Sequence, residues 1–197
     1  MTLKALMVDV DGVVVAHPPG KGWSDDLLAD LGIDPHRLVE TFFQPHFEDI
    51  VHGRCDMLER LAPALAEIAP GVTCQQLVDY WFEKDSPLDI ALLTDLAEAR
   101  AGGLQLHLAT VQEHHRARYL WETLALKDRF DAMHYAADLG AKKPHPDFYA
   151  RIGERTGFAP HEMRLIDDKL DNVEAAIAAG WSGFHWVPGS TLKQALA

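Results

Sequence analysis

Three apolar runs, each ending in a carboxylate or a hydroxyl, constrain the fold of this chain more than any other feature. Residues 3–8 lead into Asp9-Val10-Asp11-Gly12, Leu106-His107-Leu108-Ala109 leads into Thr110, and Leu165-Ile166 leads into Asp167-Asp168. A short apolar run without polar alternation is the pattern of a strand buried on both faces, and such strands belong to parallel sheets. Strand and helix patterns alternate along the second half of the chain. Strands are predicted over 104–111, 133–136, 164–167 and 183–187, and helices over 87–100, 113–124, 147–155 and 172–179. This alternation implies right-handed crossovers with helices on both sides of the sheet. The expected fold class is α/β, a doubly wound parallel sheet. Each run then delivers its polar residue to the carboxyl edge, where open α/β sheets bind ligands.

The first strand does not lead straight into the second. Val13-Val14-Val15 is expected to resume it after the Asp-Val-Asp-Gly break, and the breaker-dense segment His17-Pro18-Pro19-Gly20-Lys21-Gly22 then leaves the core. From residue 24 to about 84 the periodicity is helical. Start signals recur at Ser24 before Asp25-Asp26, at Asp34-Pro35, at Asp56 with Glu59, and at Thr73 with Gln76. Leu38, Val39, Phe42 and Phe43 form one apolar stripe, and Leu58, Leu61, Leu65 and Ile68 another, with Pro63 expected to shorten or kink that helix. Four modest helices of this kind must pack their apolar faces on one another. The expected organisation is a core of residues 1–16 and 86–197 with an inserted helical cap domain of residues 17–85.

A chain of 197 residues can bury one substantial core with a smaller insertion. Its formal charge of −12 and pI near 5.2 argue against nucleic acid as a partner, because duplex binding draws on clustered Lys and Arg. An acidic protein that handles an anion must reverse the charge locally with a cation, a lysine or helix N-termini. Cys55 and Cys74 have no CxxC spacing, so neither a disulfide framework nor a thiolate zinc site is expected. The histidines are scattered, and the adjacent His114 and His115 diverge on any helix. Asp9 and Asp11 interrupt the N-terminal apolar stretch too early for a secretory signal, and no run approaches a membrane span. A soluble cytoplasmic protein with no membrane partner is expected.

Asp9 and Asp11 lie two residues apart at the end of a buried strand, where alternation alone sends both side chains to one face. Taken singly, the polar segments have plain readings. Asp11-Gly12 suits a turn, Thr110 a strand end, Lys143-Pro144 a solvated turn and Asp167-Asp168 a helix cap. Asp9 is harder to dismiss, since a carboxylate within an apolar run is costly unless a metal or hydrogen bonds compensate it. Together the segments supply two carboxylates, a hydroxyl, a lysine and a second carboxylate pair. That inventory suits magnesium-dependent phosphoryl transfer through an aspartyl-phosphate.

In type and order these segments resemble the four motifs of the haloacid dehalogenase-like (HAD) hydrolase superfamily, and the resemblance spans almost the whole chain. It implies a Rossmann-like core with a small helical cap inserted after the first motif. It also implies Asp9 as nucleophile, Asp11 as general acid and base, Thr110 as phosphate-binding hydroxyl and Lys143 as the third-motif lysine. Asp167-Asp168-Lys169-Leu170-Asp171-Asn172 matches the DDxxxN form of the fourth motif. On this resemblance the substrate-binding residues are Thr110, Val111 and Lys143. Mg2+ is held by Asp9, Asp168 and the main-chain carbonyl of Asp11, while Asp167 and Asn172 orient Lys143 or the metal waters. The implied activity is phosphomonoester hydrolysis of a small phosphorylated metabolite such as a sugar phosphate, with a more distant resemblance to bacterial glucose-1-phosphate phosphatase-like proteins.

A phosphomutase, a haloacid dehalogenase and a catalytically silent binding protein of the same fold are the alternatives. Asp11 disfavours the dehalogenase, because an alkoxide leaving group wants a proton and a halide does not. His17, Lys21 and His46 are candidate specificity residues on the cap side. Pro18-Pro19-Gly20 and Asp85-Ser86-Pro87 are candidate hinges. Oligomeric state is left open by the sequence.

Overall fold

Ala5–Val8 is buried along its whole length because it is the central strand of the sheet. The computed structural model describes residues 2–18 and 20–197, so Pro19 of the first expected hinge lies outside the described residues. In chain order β1 (Ala5–Val8) is followed by five helices: α1 (Leu27–Leu31), α2 (Pro35–Leu38), α3 (Gln44–Val51), α4 (Met57–Ile68) and α5 (Cys74–Lys84). Then come α6 (Ile90–Ala101), β2 (Gln105–Thr110), α7 (His114–Arg118), β3 (Ala132–Tyr135), α8 (Ala136–Leu139) and α9 (Pro146–Thr156). The chain ends with β4 (Met163–Asp167), α10 (Leu170–Ala178), β5 (Ser182–His185) and α11 (Leu192–Leu196).

All strand pairs are parallel and the sheet order is β3-β2-β1-β4-β5, the doubly wound α/β arrangement expected from the alternation. The pleat sorts the core into two layers. Leu6 and Val8 join Leu106, Leu108 and Ile166 against Leu92, Leu93 and Leu96 of α6 and Ala195 of α11. Ala5 and Met7 join Ala109, Met163 and Leu165 against Phe148, Tyr149 and Ile152 of α9 and Ala176 of α10. Period-two alternation thus buries both faces of one strand under different helices.

Helices α1–α5 share a third apolar cluster of their own, including Leu27, Leu38, Phe42, Leu61, Leu77 and Trp81. Trp23 stacks on Trp81 with ring centroids 5.1 Å apart, and Phe43 meets Trp81 edge-on at 5.3 Å. The start signals at three of the helices are real caps. Asp34 accepts from the His36 amide, Asp56 from those of Leu58 and Glu59, and Thr73 forms a reciprocal capping box with Gln76.

Several local expectations are corrected. Ser24 lies in a turn and α1 begins at Leu27, because Asp25 turns back to accept from the Gly22 amide. Helix α4 runs through Pro63 without ending; the residue is exposed, so the missing amide bond falls on the solvent side, where water can serve the Glu59 carbonyl. Val13-Val14-Val15 does not resume β1. It folds into a buried turn with the amides of Val13 and Val15 both on the Val10 carbonyl. Val15 and Leu88 form an isolated antiparallel bridge, which delays α6 until Asp89 caps it at the Leu92 amide. The short α8 and α11 have too little periodicity to be seen in the sequence.

The α1–α5 layer is tied to the sheet at defined points. The Arg116 guanidinium of α7, almost fully buried, donates to the carbonyls of Phe82 and Asp85 and to the Ser86 hydroxyl, and His17 pairs with Asp85 at 2.8 Å. Both connections to the layer therefore meet beside α7. Lys142 pairs with Glu48 of α3, and His115 with Asp56 at 2.8 Å. Among the described residues no helix is long and apolar enough to cross a membrane.

Candidate active site

The carboxyl ends of β1, β2 and β4 bring Asp9, Thr110 and Asp167-Asp168 to one edge of the sheet. Asp9 continues the line of β1, its amide donating to the Ile166 carbonyl at 2.9 Å, and is only 6% exposed. Its Oδ1 accepts from the Val10 amide at 2.7 Å and its Oδ2 faces Lys143 Nζ at 2.9 Å. Lys143, in the loop between α8 and α9, is buried, and its ammonium also meets Asp167 Oδ2 at 2.6 Å and the Ala109 carbonyl at 2.8 Å. Three acceptors thus match its three hydrogens.

Asp167 is fully buried and both of its oxygens are engaged. Oδ2 takes Lys143, while Oδ1 accepts from the Lys169 amide and from Asn172 Nδ2, each at 2.9 Å. Tyr149, unforeseen in the sequence, donates to the Asn172 carbonyl at 2.7 Å and steadies that turn from α9. Asp168 differs from its neighbour. Its Oδ1 is buried with no hydrogen-bond partner, an unusual and costly condition for a carboxylate oxygen. Asp9, Asp167 and Asp168 each offer one oxygen within 4.8 Å of the others. Asp167 takes three donors in all, whereas each Asp9 oxygen takes one and Asp168 Oδ1 none, so the acceptor capacity left to serve a ligand is greatest at Asp9 and Asp168. An all-oxygen set with an orphaned buried acceptor fits a hard divalent cation such as Mg2+.

The pKa shifts follow from the crowding. Burial pushes the Asp9 carboxyl up to about 7 against the pull of Lys143, and Asp167 and Asp11 push it further in the same direction. Burial also raises Asp168, with Asp167 adding repulsion. At Lys143 burial works against the charge, but Asp9 and Asp167 outweigh it and hold the ammonium above its ordinary pKa. More negative charge is gathered here than the one lysine balances.

Gly12 makes the tight turn possible. Its φ is +80°, and a Cβ there would lie 2.5 Å from Asp168 Oδ2. Gly12→Ala is therefore expected to cost about 1–3 kcal/mol through left-handed strain and displacement of Asp168. A thermal melt in chelator checks it; an unchanged midpoint would show that the turn relaxes freely.

Asp11 stands apart from the three clustered carboxylates and is exposed to solvent. Protein crowding nevertheless raises its pKa, Asp85 adding repulsion and Arg116 opposing it. Thr110 is fully buried at the end of β2, one residue from the carbonyl that accepts from Lys143. Val111, just past the strand, borders a cleft of about 460 Å³ with Lys142, Lys143, Lys169 and Asn172. The sequence gives no pattern that singles out Gln112, whose Nε2 donates to Asp11 Oδ2 at 2.6 Å and lies 3.5 Å from Thr110 Oγ1. Of the specificity candidates, His17 is engaged with Asp85, Lys21 is exposed and His46 is half-buried on α3.

A doubly wound sheet with carboxylates, a lysine and a hydroxyl on its carboxyl edge places these groups where open α/β sheets bind ligands. Residues 90–184 match the family described as haloacid dehalogenase-like hydrolase. The chain is 26% identical to phosphoglycolate phosphatase of Nitrosospira multiformis, covering 91% of this chain and 81% of that protein. It is likewise 26% identical to hexitol phosphatase B of Escherichia coli, covering 89% and 79%. A HAD family enzyme from Bacteroides thetaiotaomicron shares the fold with a TM-score of 0.83 at 16% identity, over 98% of each chain. The structure of that enzyme in complex with magnesium and inorganic phosphate has a TM-score of 0.79 at 18% identity. The family match spans the core from α6 to β5, and the likeness to these solved structures extends the shared fold over nearly the whole chain.

Proposed function

We propose that this protein is a magnesium-dependent phosphomonoester hydrolase that works through an aspartyl-phosphate on Asp9, with residues 17–85 acting as a helical cap over the leaving group. The observation that carries this reading is the buried Lys143 bound to Asp9 and Asp167 beside the orphaned Asp168 oxygen. The relatives named phosphatases and the related magnesium–phosphate complex support it. The separate apolar cluster of α1–α5 supports the cap assignment.

Mg2+ would be held by Asp9, Asp168 and the main-chain carbonyl of Asp11, and would offset the repulsion between a phosphate dianion and the carboxylates. The chain supplies the remaining chemistry. Asp9 attacks phosphorus as the ester bond breaks, and protonated Asp11 gives its proton to the departing oxygen. The Asp11 carboxylate then takes a proton from water as that water cleaves the aspartyl-phosphate, which releases phosphate and restores Asp9. Thr110, the backbone near Val111 and Lys143 hold the equatorial oxygens, so positioning and electrostatics dominate the rate. Asp167 and Asn172 act through Lys143.

Asp11 and its Gln112 partner weigh against halide displacement, which needs no proton donor. A small phosphorylated metabolite is the proposed substrate class, with sugar and polyol phosphates first among candidates because of the hexitol phosphatase likeness. The test is phosphate release from a panel of phosphomonoesters that includes sugar 1- and 6-phosphates and phosphoglycolate, with magnesium or EDTA. Turnover that needs magnesium is expected. Absence of release from every ester, with magnesium binding intact by calorimetry, would overturn the phosphatase reading in favour of a mutase or a silent binder.

A further inference from the structure

We propose that Gln112 is a positioning residue for Asp11: its side-chain amide holds one carboxyl oxygen of Asp11 so that the other is left free for both proton transfers. The inference deepens the phosphatase reading and rests on it.

Asp11 follows β1 and Gln112 follows β2, 101 residues away, yet Gln112 Nε2 reaches Asp11 Oδ2 at 2.6 Å. The Gln112 arm is rigid. Gln112 is only 7% exposed, and its main-chain carbonyl accepts from the Ala137 amide at 3.1 Å. The next residue, Glu113, caps α7 through the amides of His115 and Arg116, so the backbone is held on both sides of the side chain. Asp11, by contrast, sits in an open turn where a carboxyl group has rotamers to choose from.

A donor on Oδ2 leaves Oδ1 as the oxygen that carries or takes the proton. In the first half-reaction the proton moves from Oδ1 to the bridging ester oxygen as the oxygen–phosphorus bond breaks and the bond from Asp9 forms. In the second it moves from water to Oδ1 as the water oxygen bonds phosphorus and the Asp9–phosphorus bond breaks. The alcohol, phosphate and both aspartates are then accounted for, and no further reactant is needed. Misplacing a proton-transfer group by about 1 Å can cost on the order of 100-fold.

The test compares wild type with Gln112→Met, which keeps length and removes the donor, and Gln112→Asn, which keeps the amide and shortens its reach. Each is studied in rapid-mixing single turnovers and in steady state with 4-nitrophenyl phosphate and with the fastest sugar phosphate of the panel. 4-Nitrophenolate leaves without proton assistance and the sugar alkoxide does not. In both variants the first-turnover release of 4-nitrophenolate is expected within about 3-fold of wild type, followed by a burst because hydrolysis of the aspartyl-phosphate slows at least about tenfold. Sugar phosphate cleavage slows at least about tenfold in the first turnover itself. A purely structural role would slow first-turnover release from both esters alike. That equal loss, or no loss on either ester, overturns the proposal. Should Gln112→Met melt well below wild type, the Gln112→Asn kinetics decide. Magnesium affinity by calorimetry within about 3-fold of wild type excludes an effect through the metal site. Wild type without turnover on any ester refutes the phosphatase reading first, and this inference with it.

Discussion

Asp9→Asn is expected to lower phosphate release by at least about 10⁴-fold while the fold stays intact. The amide keeps the shape of the side chain and the approach of the Val10 amide, but it cannot attack phosphorus. Stability should not follow activity downward. In the absence of metal, Asp9 is buried with its pKa near 7, above the 3.8 of an exposed aspartate, so the folded state binds protons more readily than the unfolded one. Such a group withdraws stability as the pH rises from about 4 through 7. Replacing it with a neutral amide removes that cost, while Lys143 keeps Asp167 and the Ala109 carbonyl as partners. Melting in EDTA at pH 7.5 is therefore expected at or above the wild-type midpoint. Turnover within tenfold of wild type would sink Asp9 as nucleophile, and a large drop in midpoint would show that the Asp9–Lys143 contact outweighs the burial penalty.

The sheet was legible because buried parallel strands announce themselves as largely apolar runs: β1 is uninterrupted, β2 is broken inside only by His107, and β4 only by Arg164. Helix starts were legible where a side chain closes the first turn, as at Asp34, Asp56 and Thr73. They were not where tertiary contacts decide: Ser24 carries the right chemistry for a cap, but Asp25 takes the local amide and α1 starts later. Pro63 shows the same limit, since its effect depends on which side of the helix faces water. Asp9, Thr110 and Asp168 could be singled out as candidates because they stand at or just past the ends of apolar runs, and Lys143 because Lys143-Pro144 resembles a known motif. Gln112, Tyr149 and Arg116 could not, because their importance comes from partners distant in the chain. The Asp11 contact of Gln112 spans 101 residues, and Arg116 gathers three acceptors from residues 82–86. No local pattern encodes such a meeting.

Lys143→Met carries the second large effect, and unlike Asp9→Asn it is expected to damage stability and activity together. Methionine fills a similar volume but leaves Asp9 and Asp167 facing one another without the ammonium and strips the Ala109 carbonyl of its donor. Removing one partner from a buried ionic cluster costs about 3–5 kcal/mol. For a chain of this size that lowers the melting midpoint by roughly 10 °C. Phosphate release should fall at least about 10³-fold, since an ammonium aimed at the transferring oxygens is worth several kcal/mol in a shielded site. The cause is separable by a double-mutant cycle with Asp167→Asn. If uncompensated negative charge is what destabilises Lys143→Met, adding Asp167→Asn recovers part of the midpoint, because one of the two stranded carboxylates is gone, while activity stays lost. Strictly additive losses in the double variant would instead trace the damage to packing around residue 143. Recovery of stability without activity would mark Lys143 as serving two roles at once, holding the carboxylates together at rest and the phosphate during reaction.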